Sequence, residues 1–228
     1  MPLEPRSRPL VALIASFATL VAGCAQDSAM GGVKLTQKDA YTLVPDKNPV
    51  TEFPAINSDG SINVVVEIPA GTSEKWEMRA TDGTLMHEFT GNKPRVVKYL
   101  PYPGNYGLIP RTLLDTAGGG DAEPLDVMVL GPAVPRGSVV QAQPLGVIKL
   151  LDRGEQDDKI LAVMKDSPLA TAVDVEDLER KFPGTTLILR TWFQNYSGAG
   201  SMLFLGVSSR VVANNTVKMA ADSFESAR

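Results

Sequence analysis

Asp121-Ala122-Glu123-Pro124-Leu125-Asp126 sets three carboxylates close together, after Gly118-Gly119-Gly120 and before the apolar run Val127-Met128-Val129-Leu130. The glycines permit a tight bend, and Pro124 removes one N–H donor from it. Acids this close repel one another unless cations lie among them. An oxygen-only donor set suits Mg²⁺, Mn²⁺ or Ca²⁺ rather than zinc. Taken alone, the stretch reads more simply as a solvated acidic loop leading into a strand.

Other reactive side chains recur far from it. Glu67 sits near the end of an apolar run, where a lone carboxylate is costly to bury. Asp152 and Asp157 flank a turn, and Lys159 opens the stretch that follows. Lys75, Glu77 and Arg79 alternate with apolar neighbours and so share one strand face. Tyr102 and Tyr106 lie in Pro101-Tyr102-Pro103-Gly104-Asn105-Tyr106-Gly107, and Tyr196 follows Trp192-Phe193. Each has an ordinary structural role when considered singly: a satisfied phenol, a turn former or an exposed strand edge.

The elements that must position these groups are mostly short strands. Ile62–Ile68 is rich in β-branched residues and stopped by Pro69. Further strands are expected at Lys75–Arg79, Leu125–Leu130, Ser138–Ala142, Gly146–Leu151 and Lys159–Met164, separated by turns such as Pro135-Arg136-Gly137 and Asp152-Arg153-Gly154. Two helices are expected late in the chain. One covers Val175–Phe182, capped by Asp174 and stopped by Pro183-Gly184; the other starts at a cap on Asn215 with Val217, Ala220, Ala221 and Phe224 as its apolar stripe. Many short strands followed by two helices suggest a mainly β protein with α-helices, built as a small closed barrel with helices on its side.

The chain has 228 residues, 43% of them hydrophobic and 21% charged, as in an ordinary globular protein. A net charge of −4 argues against a general nucleic-acid binder, which relies on Lys and Arg to neutralise phosphates. Cys24 is the only cysteine, so no internal disulfide forms. Arg6 and Arg8 precede an uncharged run from Leu10 to Ala22, too short to span a bilayer and typical of a secretory signal. Leu20-Val21-Ala22-Gly23-Cys24 resembles the bacterial lipoprotein box, which implies cleavage before Cys24 and lipidation of its thiol. The expected organisation is a signal peptide at 1–23, a flexible lipid-anchored tether at 24–59 broken by Pro45, Pro49 and Pro54, and one folded domain at 60–228. Residence would be periplasmic, with Ala25 after the cysteine favouring the outer membrane.

Taken together, Val66-Glu67-Ile68-Pro69-Ala70, Tyr102-Pro103-Gly104-Asn105-Tyr106-Gly107, Asp121-Ala122-Glu123-Pro124-Leu125-Asp126, Gly146-Val147-Ile148-Lys149 and Asp152…Asp157-Asp158-Lys159 resemble the soluble family I inorganic pyrophosphatases, in order and in spacing. The resemblance implies an OB-type five-stranded barrel with flanking helices, a homo-oligomer (hexamer or dimer), and Mg²⁺-dependent hydrolysis of pyrophosphate by a metal-bound water, with Mn²⁺ as a substitute. It implies metal ligation by Glu67, Asp121, Asp126, Asp152 and Asp157. It places Lys75, Arg95, Tyr106 and Tyr196 on the phosphoryl oxygens, and Glu77, Tyr102 and Lys159 in support.

The family pattern is broken at two positions. Glu123 stands where an aspartate accepts the water's proton, and the position after Tyr196, commonly a phosphate-binding lysine, is Ser197. An alternative reading is therefore a protein of the same fold that binds metal and phosphate without efficient turnover. His87, the only histidine, has no second histidine or cysteine nearby for a zinc site and reads as structural or exposed. No G-x-x-x-x-G-K-[ST] loop is present, which argues against a P-loop nucleotidase.

Overall fold

The structure, a computed structural model, describes residues 33–114 and 122–228. The signal segment, Cys24 and Asp121 lie outside the described residues. The chain forms β1 (Leu35–Asp39), β2 (Thr42–Pro45), α1 (Pro49–Glu52), β3 (Ile62–Ile68), β4 (Trp76–Met78), β5 (Leu85–His87), β6 (Phe89–Thr90), β7 (Lys93–Pro94) and β8 (Asn105–Leu108). It continues with β9 (Asp126–Leu130), β10 (Val139–Asp152), β11 (Glu155–Gln156), β12 (Lys159–Met164), α2 (Val175–Lys181), α3 (Thr185–Phe193), β13 (Met202–Ser208) and α4 (Arg210–Ser226).

The large sheet runs β11-β10-β12-β9-β8-β3, and β10 also pairs with β3, so the pairings return to their start as an uneven ring. Neighbours are antiparallel except β9 and β12, which run parallel with Val127 opposite Ile160. Alternation along the strands divides the apolar side chains between two cores. Val65, Met128, Leu161 and Val163 join one with Leu178, Trp192 and Phe193. Val64, Val66, Val127, Val129 and Ala162 join the other, with Ala213, Val217 and Ala220 of α4. Burial of both faces is why β3 reads as an unbroken apolar run.

Within the segment expected to be a flexible tether, residues 33–59 carry regular structure. β1 and β2 form a hairpin, and β2 pairs with β5 through Leu43 and Leu85 in a second sheet of order β1-β2-β5-β4. Asn48 caps α1, accepting from Val50 N at 3.0 Å, and Val50 is buried. Pro45 ends β2, Pro49 opens α1 and Pro54 precedes Ala55, which is itself buried.

The two strands expected at 138–142 and 146–151 are one, β10. Pro144 interrupts the run in sequence, but it sits where the register against β12 shifts, a position that spares its missing donor. Pro183-Gly184 does end α2, yet Gly184 at φ 87° also caps an unexpected helix, α3. Asn215 is not a cap: α4 begins five residues earlier behind Ser209, and Asn215 lies inside it. Asp174 does cap α2, accepting from Asp177 N at 2.7 Å.

Candidate active site

β3 brings Glu67 to the edge of the first core. Only 5% exposed, its Oε1 accepts the Met78 N–H at 2.7 Å, which ties β3 to β4. Its own carbonyl accepts from Arg136 Nε at 2.7 Å, and that guanidinium stacks 4.3 Å over Trp76. Burial, with Asp126 nearby, pushes the Glu67 carboxyl up to about 8, against the pull of Lys75. Glu67 therefore lacks a full counter-charge.

β4 presents Glu77, and Lys75 stands just before the strand, its Nζ 2.7 Å from Glu77 Oε1. Burial works against the Lys75 charge, but Tyr102, Glu77 and Glu67 together raise its pKa. Burial likewise opposes ionisation of Glu77, and Lys75 overrides it. Lys75 also lies 5.8 Å over the Tyr106 ring and 3.9 Å from Glu88 Oε2. Glu88 in turn binds Arg95 at 2.6 Å, so acid and base alternate through Glu77, Lys75, Glu88 and Arg95. Sequence reasoning missed Glu88, which stands beside His87 with no motif around it; the short hairpin of β6 and β7 brings it opposite Arg95.

Tyr106 follows the glycine and asparagine of its motif for concrete reasons. A Cβ on Gly104 would sit 2.8 Å from Val129 O, and one on Gly107 would sit 1.9 Å from Val65 O. Asn105 is fully buried; its Oδ1 accepts from Ala70 N and Val134 N, both at 3.1 Å, and its Nδ2 donates to Pro132 O at 2.8 Å. β8 is thereby pressed against β3 and β9, with the Tyr106 ring in the first core. Burial and then Asp126 hold the Tyr106 phenol well above its ordinary pKa, so it stays a proton donor.

The acidic cluster is organised by Lys159. Its buried Nζ lies 2.5 Å from Asp126 Oδ2 and 2.6 Å from Asp157 Oδ1. Thr112 fixes the approach to Asp126, its Oγ1 accepting from Leu125 N at 2.9 Å. Burial disfavours the Asp126 anion, but Lys159, Lys75 and the Tyr106 hydroxyl hold its pKa below the usual range. The neighbouring Asp158 takes a different path, to Lys149 at 2.6 Å.

Aromatic packing supports the other wall. Tyr196 stacks on Trp192 at 4.6 Å, and Tyr102 lies 4.6 Å from the same indole, whose Nε1 donates to Leu100 O at 2.8 Å. Burial raises the Tyr196 pKa, countered by Lys75, Lys159 and Arg95, three cations within electrostatic reach. Arg95 and Tyr196 line one cavity of about 470 Å³. His87 is structural: it stacks on Trp76 at 5.0 Å, and its Nε2 contacts Arg95 O at 3.1 Å.

Glu67, Lys75, Glu77, Tyr102, Tyr106, Asp126, Asp157, Lys159, Arg95 and Tyr196 are thus linked by contacts or mutual electrostatics. Asp152 is not among them. It ends β10 before a turn in which Arg153 (φ 52°) and Gly154 (φ 94°) are left-handed, and its Oδ1 is buried without a partner among the described residues. Glu123 is exposed, its carbonyl accepting from Leu114 N at 2.9 Å. No group of three or more His, Cys, Asp or Glu side chains close enough to hold a metal occurs among the described residues. The donor chemistry nevertheless fits a hard divalent cation: only carboxylate oxygens are offered, one orphaned in Asp152 and one underneutralised in Glu67.

A family model described as inorganic pyrophosphatase matches residues 64–225. The chain belongs to the inorganic pyrophosphatase family. Soluble inorganic pyrophosphatase 6, chloroplastic, of Arabidopsis thaliana is 36% identical over 161 residues, covering 65% of this chain and 53% of that one. The inorganic pyrophosphatase of Schizosaccharomyces pombe is 38% identical over 178 residues, covering 68% of this chain and 62% of that one. The chain therefore spans little more than half the length of the first of these relatives. Among solved structures, the type I inorganic pyrophosphatase of Toxoplasma gondii superposes with a TM-score of 0.74 at 25% identity, covering 86% of this chain and 99% of that one. The inorganic pyrophosphatase match starts within β3, so β1, β2 and α1 lie outside it.

Proposed function

We propose that the protein hydrolyses inorganic pyrophosphate to two phosphates with the help of Mg²⁺. The observation that carries this reading is the convergence of Asp126 and Asp157 on Lys159 beside Tyr106, with Lys75 and Arg95 close by. Carboxylates that suit a hard cation and basic and phenolic donors that suit phosphoryl oxygens are interleaved in one cluster. The uneven ring is read as the OB-type closed barrel that carries this site.

Asp126, Asp157 and Glu67 would hold the divalent ions, joined by Asp152 and Asp121. A cation held there lowers the pKa of water and offsets phosphoryl charge. Lys159 holds Asp126 and Asp157 close together before metal arrives and helps keep Asp126 ionised. Lys75, Arg95 and Tyr196 bind phosphoryl oxygens, and Tyr106 donates its phenolic proton as a hydrogen bond. Glu77 and Glu88 fix the ammonium of Lys75 and the guanidinium of Arg95, while Tyr102 supports Tyr196 through Trp192. Glu123 accepts the proton released from the attacking water. Such preorganised positioning accounts for most of the rate in phosphoryl transfer. Export, lipid anchoring at Cys24 and a homo-oligomeric state belong to the same proposal; their support is the residue pattern of the N-terminal segment and the family itself.

The test is phosphate release from pyrophosphate by the detergent-solubilised full chain, with and without Mg²⁺ or Mn²⁺. Metal-stimulated release is expected. Silence with both metals, alongside calorimetric binding of pyrophosphate, would instead establish a binding protein on this scaffold.

A further inference from the structure

The cavity of about 470 Å³ that holds Arg95 and Tyr196 extends beyond them, to Lys98, Tyr99, Asn195 and Ser197. Its lining includes two cations, Arg95 and Lys98, and no carboxylate. Arg95 is already neutralised in part by Glu88 at 2.6 Å. Lys98 is exposed and makes no ion pair among the described residues. The backbone that carries it is pinned: Val97, the residue before it, is buried and its N–H donates to Ser73 O at 2.8 Å. The opposite wall is fixed too, by Gly198 N on Asn195 O at 3.0 Å and Gly200 N on Gln194 O at 2.8 Å. Lys98, with no ion pair among the described residues, and Ser197, a neutral hydroxyl, thus line the same concave, carboxylate-free space.

We propose that Lys98 is a further substrate-binding residue, supplying from the Arg95 side of the cavity the cation that Ser197 cannot supply from the other. Its ligand is a phosphate dianion or the terminal phosphoryl group of a condensed phosphate. This rests on the pyrophosphatase reading for the identity of the substrate, but the anion site can be probed without turnover. A long, flexible side chain at the rim contributes a screened attraction rather than a fixed fork. It acts mainly on binding, so its removal raises KM more than it lowers kcat.

The experiment measures inorganic phosphate binding by calorimetry, and KM and kcat for pyrophosphate, for wild type, Lys98→Gln, Lys98→Arg and the double variant Lys98→Gln/Ser197→Lys, each at low and high salt. Lys98→Gln is expected to weaken phosphate binding and raise KM about five-fold at low salt, the size of a well-placed exposed charge contact. The loss should shrink towards unity in ~1 M salt. Lys98→Arg should retain binding, and Ser197→Lys should recover it in the Lys98→Gln background. A Lys98→Gln protein that binds and turns over as wild type does overturns the proposal while leaving hydrolysis intact. Phosphate binding that depends on Lys98 in a protein without turnover supports the proposal and overturns hydrolysis.

Discussion

The ammonium of Lys159 lies 2.5 Å from the carboxylate of Asp126 because the strands they open, β12 and β9, run side by side in parallel. Ile160 faces Val127, and the residue before each becomes a neighbour by register alone. Parallel pairing is uncommon in this sheet, and it is what places a cation from one loop against an acid from another. Asp157, two residues before Lys159, then completes the group at 2.6 Å.

Removing that cation should leave two facing acids. Lys159→Met is expected to lower metal-free stability by about 1–3 kcal/mol, less than the ~3–5 of a fully buried broken pair because both carboxylates are part-exposed. Urea denaturation in EDTA measures it. Excess Mg²⁺ should recover part of the loss, since a divalent ion replaces the missing charge. Equal losses with and without Mg²⁺ would sink the idea that the acids form a cation site.

Asp126→Asn keeps the shape but removes charge from the centre of the group and turns one accepting oxygen into a donor. Turnover with Mg²⁺ should fall by at least about 10²-fold, on the scale of losing one major charge-stabilising contact. Phosphate release is the measurement. Near-normal kcat would exclude Asp126 from the reaction.

Glu67 makes stability depend on pH in a set direction. Its ordinary pKa of 4.5 rises to about 8 on folding, so between these values the folded chain holds a proton the unfolded chain has released. Its contribution is full below about pH 4.5 and disappears as pH rises through 8. In metal-free buffer, the melting temperature of wild type should drop from pH 5 to pH 8 more than that of Glu67→Gln. Identical pH profiles would refute the assignment.

Gly107 is needed for space, not for flexibility. A methyl group there would overlap Val65 O at 1.9 Å, a backbone atom that cannot step aside without opening β3 from β8. Gly107→Ala is expected to cost about 4 kcal/mol or more. Denaturant melts should show it, with loss of the fold as the extreme outcome.

The sequence exposes those elements whose burial matches a simple pattern. β3 and β12 are apolar on both faces and are read residue for residue. α3 hides behind two threonines and a helix stop that is also a helix start, and β13 alternates too weakly around Gly206. The hairpin of β1 and β2 is polar because it is mostly exposed, and polar plus proline reads as linker. In the site, the acids and their lysine are visible as residue types, but the joining of Asp126 to Asp157 through Lys159 depends on parallel register between distant strands. Glu88 is missed for another reason: its meaning comes from Arg95, across the Gly91-Asn92 turn of a hairpin whose strands are too short to show alternation.

That N-terminal hairpin sets a lower bound on how far the gene can be trimmed. A version cut to residues 64–225, where the family match lies, would strip β2 from β5 and bare the rim of the small sheet. Such an edge invites sticking between molecules. It would also loosen the platform under β4, so a failed assay on the trimmed protein would report a damaged frame rather than absent chemistry.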